Sequence, residues 1–242
     1  MLKISGPQSL SGKVQISGSK NAALPLIAAG LFFEDFTLHN VPRIGDVLTF
    51  LSIIESLGVE VDFASGNTLR MNTKKLNIHT LDLEKIKKIR VGIFLFPALL
   101  KRLWSLEIPY PGWCNIGKRP IDEHLNAFSA FGYENMGEGE YIAFQWEDHG
   151  KDVTIRAGFA VTATENILMM AAFRRWKTTI ELAAIEPHVM NLVEFLRSIW
   201  TSIDVTYDHK MIINGSIIDQ KKAEYTVIGD YIEAGTFLVL GA

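Results

Sequence analysis

Asp46-Val47-Leu48-Thr49-Phe50-Leu51-Ser52-Ile53-Ile54-Glu55-Ser56-Leu57-Gly58-Val59-Glu60-Val61-Asp62-Phe63 decides the architecture, because its order recurs. Asp46 to Leu57 reads as a helix, Gly58 stops it, and Val59 to Phe63 alternates as a strand. The same sequence of events returns in Glu123 to Phe131, Gly132 and Tyr133 to Met136, and again in His188 to Ile199, Trp200 and Ser202 to Val205. Each unit also has a second helix feeding a strand: Ala22 to Phe33 into Phe36 to His39, Val91 to Leu103 into Ser105 to Ile108, and Ala163 to Arg175 into Thr178 to Glu181. The period is about seventy residues, a repeat whose units bury their apolar faces only against one another. A pseudo-threefold α+β domain is the packing this predicts.

The bulk properties fit a globular chain. At 242 residues and 48% hydrophobic content it can fill a sizeable core, and a net charge of -3 offers no general basic field for nucleic acid. One cysteine excludes an internal disulfide framework and agrees with a reducing, cytoplasmic compartment. The start lacks a signal-peptide apolar region, and the longest apolar runs, Ala22 to Phe33 and Val91 to Leu100, are too short and interrupted to span a bilayer. Leu2 to Ser17 alternates around Gly6 and Gly12, which predicts two short strands joined by a turn. No metal-ligand cluster or dinucleotide glycine motif is present, so no cofactor is expected.

The repeat exposes an oddity in the tryptophans. A residue just after a helix commonly needs positive φ, which Gly58 and Gly132 supply, yet Trp200 stands in that slot in the third unit. Trp104 and Trp176 stand where the second helix of a unit turns into its strand, and Trp113 sits in a glycine-rich loop. Four of the five tryptophans thus occupy glycine-like places, as expected if UGA codons read as glycine by a source bacterium were translated as tryptophan. UGG at these four codons would end that reading.

Chemistry gathers in Pro111-Gly112-Trp113-Cys114-Asn115-Ile116-Gly117-Lys118-Arg119-Pro120-Ile121-Asp122-Glu123-His124. A thiol followed by two cations sits in a field that favours thiolate and holds an anion. A single cysteine is more often a small core hydrophobe, but this one is flanked by turn residues and charge rather than by apolar periodicity. Ser17-Gly18-Ser19-Lys20-Asn21 precedes an apolar helix whose free N–H groups attract anions. Alone, that segment reads as an ordinary Ser/Asn N-cap with a solvated lysine.

These stretches together carry a resemblance. Gly18 to Pro25, the Arg90 segment, the Cys114 loop through His124, Ala163-Thr164-Glu165-Asn166 and Asp230 to Phe237 resemble the enolpyruvyl transferase family in its UDP-N-acetylglucosamine 1-carboxyvinyltransferase branch, from end to end of the chain. The resemblance implies an inverse α/β barrel: two domains of three repeats each, with the active site between them. It implies one complete domain here, residues 20–224, with 1–19 and 225–242 as stubs of a second. The reading frame stops inside what reads as a helix begun near Glu233, so a fragment of a longer gene is expected, lacking the C-terminal half.

By the same resemblance Cys114 would protonate the methylene of phosphoenolpyruvate, while Lys20 and Arg119 would bind that anion. Asn21, Arg90, Arg119, Pro120, Ile121, Asp122 and Glu123 would face UDP-N-acetylglucosamine, with Val161 and Thr162 at a further contact. Ala160 stands where the family commonly has serine. The implied reaction transfers the enolpyruvyl group to the sugar 3-hydroxyl and releases phosphate; the family's base lies in the second domain, so this chain alone is expected to be inactive. Two competing readings are a sister enzyme acting on shikimate 3-phosphate and a non-catalytic sugar-nucleotide binding module.

Overall fold

The computed structural model describes residues 6, 11–87, 90–103, 105–110, 121–137, 139–146, 150–199, 201–216 and 220–241. Its first unit contains α1 (Lys20–Gly30), β1 (Asp35–His39), α2 (Gly45–Ser56), β2 (Glu60–Ala64) and β3 (Thr68–Asn72). The second contains α3 (Leu83–Ile86), a 3-10 turn (Arg90–Phe94), α4 (Leu95–Leu103), β4 (Ser105–Pro109), α5 (Asp122–Ala130), β5 (Tyr133–Asn135) and β6 (Tyr141–Trp146). The third contains β7 (Val153–Arg156), α6 (Val161–Ala172), β8 (Lys177–Glu181), α7 (Pro187–Ser198), β9 (Ser202–Val205) and β10 (Met211–Asn214). Strand β11 (Lys222–Thr226) and helix α8 (Tyr231–Gly241) follow.

Three separate sheets result, ordered β11-β1-β3-β2, β4-β6-β5 and β7-β8-β10-β9. In each, the last strand of the unit lies in the interior of the sheet, antiparallel to both neighbours: β3 between β1 and β2, β6 between β4 and β5, β10 between β8 and β9. The first and third units add a parallel outer strand. In the third it is β7, which precedes α6; in the first it is β11, from the far end of the chain, pairing Asp35 with Lys222 through His39 with Thr226. β11 runs across position 224, where the sequence suggested a domain edge. In the second unit the single-turn helix α3 packs beside β4 where the others place that strand.

The repeat is visible down to single hydrogen bonds. Val41 N–H donates to Asn67 O at 2.9 Å, and Ala183 N–H to His209 O at 2.7 Å. All four flanking corners are left-handed: Asn40 and Asn67 at φ 57° and 58°, Leu182 and His209 at 52° and 59°. Asparagine tolerates that conformation; leucine pays strain for it, and holds it because the same turn is set by the sheet on either side.

Helices lie inside and sheets outside, which follows from their sequences. Ala22 to Gly30 of α1, Leu95 to Leu100 of α4 and Ala163 to Met169 of α6 are buried without an exposed face, so these helices are enclosed on every side. The helices α2, α5 and α7 bury one stripe and expose the other. Phe33, Phe36, Phe173, Phe195 and Tyr225 join the first and third units through ring contacts, while Phe96, Phe128 and Phe144 form an edge-on trio in the second. No helix among the described residues is long and apolar enough to cross a membrane.

Several expectations need correction. Residues 11–17 form no strand; the isolated Gly18–Gly229 bridge follows them, and Ser17 O accepts from Asp230 N–H at 2.8 Å. Residues 1–5 and 7–10 lie outside the described set. Gly58 and Gly132 do take positive φ, 78° and 91°, but Trp176 is not among the positive-φ residues and is half-exposed. The α1 and α6 helices end in right-handed or bridge-region residues, Leu31 and Phe173, so the need for glycine belongs to the ends of α2 and α5 and not to the helix before β8. Trp104, Trp113 and Trp200 lie outside the described residues.

The core also holds ionisable groups. Glu165 is 1% exposed with Oε1 lacking a partner among the described residues, and burial, reinforced by the charge of Glu186, raises its pKa well above the usual 4.5. His124 is 2% exposed, and burial, aided by the Arg90 charge, lowers it from 6.5 to about 3.

Two stability predictions follow from these positions. A Cβ on Gly58 would meet the Lys75 carbonyl oxygen at 2.7 Å on a residue already at φ 78°, so Gly58→Ala should lower the urea midpoint with unchanged slope. The expected loss is about 1–3 kcal/mol. For pH the two buried groups act in opposite directions. Folded His124 refuses the proton that the unfolded chain takes below 6.5, so its contribution is full above pH 6.5 and lost as pH falls towards 3. Folded Glu165 keeps a proton that the unfolded chain releases above 4.5, so stability falls as pH rises from there. Urea midpoints from pH 8 to pH 4.5 should therefore show Glu165→Gln gaining on wild type at the alkaline end, with the gap closing towards 4.5; a constant gap would mean that Glu165 ionises normally.

Candidate active site at the helix N-termini

The helices α1, α2, α5, α6 and α7 begin without a side-chain cap. Ile44, Ile121 and Ala160 have no oxygen to offer, and Ser19 and Glu186 make no capping bond. The starts of α1, α6 and α7, with no acidic residue in their first turns, therefore keep first-turn N–H groups and the positive end of the helix dipole available to an anion. Ser19 occupies the N-cap position the sequence suggests, with extended backbone, but its hydroxyl does not cap.

Specific bonds gather these starts at one end of the protein. Lys20 Nζ pairs with Asp46 Oδ2 at 2.8 Å, joining the first turns of α1 and α2. Ile228 accepts from Ser19 N–H at 2.8 Å and its own N–H donates to Asn191 Oδ1 at 3.2 Å, tying α1 to α7. His124 Nε2 lies 3.2 Å from Thr162 Oγ1, joining the third residue of α5 to the second of α6. Helix α1 packs against the 3-10 turn that starts at Arg90 and against α6. Arg90 is close enough to His124 to depress its pKa.

Of the residues marked in the sequence, Lys20, Asn21, Arg90, Ile121, Asp122, Glu123, Val161 and Thr162 are described, and they share this end. All are half-buried except Asp122, which is exposed. Lys20 is not a solvated charge, since Asp46 holds it. Pro25 inside α1 has no N–H, so the Asn21 carbonyl lacks its usual helical donor. Asp122 and Glu123 occupy the first turn of α5, where their carboxylates offset the dipole and suit hydroxyl donors rather than phosphate. Cys114, Arg119 and Pro120 lie outside the described residues. The described residues on either side of them are Tyr110, whose N–H donates to Glu140 O at 2.9 Å, and Ile121.

Sequence reading missed three members of this end. Asp46 looked like the start of a helix and is the partner of Lys20. Asn166, fully buried, donates from Nδ2 to His124 Nδ1 at 2.9 Å and to Ile93 O at 3.2 Å. Glu165, beside it, is the buried acid. The signal was the polar Thr164-Glu165-Asn166 triplet inside an otherwise apolar helix, which is costly to bury without a purpose. Among the described residues no group of three or more His, Cys, Asp or Glu could hold a metal.

The arrangement offers cations, free N–H groups and oriented acceptors on a half-exposed surface, a setting for an anionic ligand that also carries hydroxyls. The chain is similar to UDP-N-acetylglucosamine 1-carboxyvinyltransferase of Campylobacter hominis, 37% identical over 243 residues that span all of this chain and 58% of the relative. The protein of the same name from Prochlorococcus marinus strain MIT 9301 is 36% identical, with 100% and 54% covered. The chain thus spans little more than half the length of the curated relatives it matches. Among solved structures it is similar in fold to the enolpyruvyl transferase NikO from Streptomyces tendae, with a TM-score of 0.81 at 20% identity over 98% of this chain and 56% of that one. EPSP synthase from Acinetobacter baumannii follows with a TM-score of 0.68 at 16% identity over 94% and 52%. The expected enolpyruvyl transferase fold is therefore present. The family match itself runs over residues 4–242, and the chain belongs to the EPSP synthase (3-phosphoshikimate 1-carboxyvinyltransferase) family.

Proposed function

We propose that this chain is the N-terminal part of an enzyme that transfers the enolpyruvyl group of phosphoenolpyruvate to the 3-hydroxyl of UDP-N-acetylglucosamine, releasing phosphate, in the cytoplasm. The observation that carries the reading is the gathering of uncapped helix N-termini around Lys20, Arg90 and Thr162, in a chain 37% identical along its whole length to relatives of that name. The step is the first committed one of peptidoglycan precursor synthesis, which ties the protein to cell-wall growth, cell shape and division.

In this reading the Cys114 sulfhydryl gives its proton to C3 of phosphoenolpyruvate while the sugar 3-oxygen bonds to C2, its own proton going to a base outside this chain. The tetrahedral adduct then loses a C3 proton and phosphate, which restores the double bond. Lys20 and Arg119 neutralise the phosphoenolpyruvate anion, so Lys20 exchanges Asp46 for substrate. Asn21, Arg90, Pro120, Ile121, Asp122, Glu123, Val161 and Thr162 bind the sugar nucleotide.

Residues 20–224 form one complete three-unit domain in this proposal, and 1–19 and 225–242 belong to a second. The surface of α8 supports a missing part. Leu238, Val239 and Leu240 are 74%, 80% and 59% exposed, and no residue of that helix is buried. An apolar helix left bare in this way calls for a covering surface.

Calorimetry on the purified 242-residue chain tests the acceptor: UDP-N-acetylglucosamine should bind and shikimate 3-phosphate should not. The reverse preference would move the protein to the shikimate branch. Phosphate release with both substrates should stay at background until the C-terminal part is supplied. Turnover by the chain alone would mean that it carries its own base.

A further inference from the structure

We infer that the Thr162 hydroxyl is a one-way hydrogen-bond donor to a phosphate oxygen of the sugar nucleotide, its polarity set from behind by the buried chain Ile93–Asn166–His124. This rests on the functional reading above and adds to it a positioning role for His124 and Asn166.

The direction of every bond in the chain is fixed by chemistry. Asn166 Nδ2 has two protons and two acceptors, Ile93 O at 3.2 Å and His124 Nδ1 at 2.9 Å. Turning the amide over would set its oxygen against the Ile93 carbonyl, two acceptors face to face, so the nitrogen must occupy that place. Nδ1 therefore accepts. The ring is neutral in its buried setting, so its single proton is on Nε2 and is donated to Thr162 Oγ1, 3.2 Å away. The Thr162 hydroxyl receives a bond through its oxygen and keeps its own proton for another acceptor.

Nothing helical behind Thr162 takes that proton. Thr164 donates to the Ala160 carbonyl four residues back at 2.9 Å, the usual outlet for a helical threonine. Thr162 is the second residue of α6, so position 158 lies before the helix begins. Its hydroxyl is half-buried, beside first-turn N–H groups and an Ala160 cap that provides no oxygen. An anionic oxygen fits that place, since it accepts from the hydroxyl and from the helix terminus together. The whole chain, from Ile93 through a fully buried asparagine and a histidine 2% exposed, is built into the core to leave one outward proton.

Calorimetric titration of the 242-residue chain with UDP-N-acetylglucosamine and with UDP tests this. Thr162→Val should weaken both ligands by about tenfold, the typical effect of losing one bond to a charged acceptor, while Thr162→Ser should stay within about twofold of wild type. Nitrogen-15 spectra of the imidazole should report the Nε2–H tautomer at pH 7. Asn166→Asp replaces the donor at Nδ1 by an acceptor and should reverse the chain: the tautomer switches to Nδ1–H, the Thr162 hydroxyl turns inward, and binding falls by a similar factor, with little further loss when combined with Thr162→Val. Wild type and Thr162→Val binding equally would overturn the inference and leave the functional reading standing, as would an Nδ1–H tautomer in wild type. Failure of wild type to bind either nucleotide would overturn both. The valine and serine variants keep the test decisive if Asn166→Asp does not fold.

Discussion

Three helices without a polar face govern this structure. α1, the first six residues of α4 and most of α6 are buried on every side, so these helices cannot lie on a surface, and the sheets cover them from outside. Once the helices are central and each unit repeats the same path, their N-termini fall together. Helix dipoles that would repel one another at a shared end are tolerated there because an anion is expected to neutralise them. Under the proposed function the missing caps have a use: a serine or aspartate hydrogen-bonded into each first turn would occupy the N–H groups offered to the substrate.

Central helices also explain why polar residues are buried near that end. The first turns of α5 and α6 face each other across His124 and Thr162, and the space behind them is closed by Asn166 and Glu165. A buried group of this kind stabilises only when its bonds are complete, and here the completion is uneven. His124 has partners on both nitrogens, whereas Asn166 Oδ1, Glu165 Oε1 and Glu186 Oε2 have none among the described residues. Burial and the charge of Glu186 raise the Glu165 pKa well above its usual value, which favours the neutral form and lessens that cost.

The helices were legible because each leaves local marks: Gly58 and Gly132 stop α2 and α5, and the run from Ala22 has no polar interruption. The strands β3, β6, β7, β10 and β11 were not read, since their meaning is in their partners. β11 joins β1 across the length of the chain, and no local pattern announces a strand borrowed from that far away. Residues 11–17, read as part of a hairpin, form no strand for the converse reason: alternation without a partner is not a strand. At the site, charge and motif resemblance marked Lys20, Asn21, Arg90 and Thr162. They gave no site role to Asp46, whose part depends on two helix starts meeting, or to Asn166, quoted within a motif, whose part depends on which way one amide faces.

Under the proposed function the Lys20–Asp46 pair keeps a cation ready for the substrate anion. At 38% and 61% side-chain exposure the pair is worth little, about 0–1 kcal/mol, so it does not lock the lysine away from an incoming anion. What it does is hold the ammonium at the mouth of α1 instead of leaving a four-carbon chain to sample solvent, which reduces the ordering cost of binding. A dianionic ligand competes easily, because it adds the α1 and α2 dipoles to the same charge and Asp46 can return to its own helix start, where a carboxylate is favoured. The carboxylate is therefore a holder that loses little when displaced, and its position on a second helix makes the readiness of Lys20 depend on the same meeting of helix starts that the central helices impose.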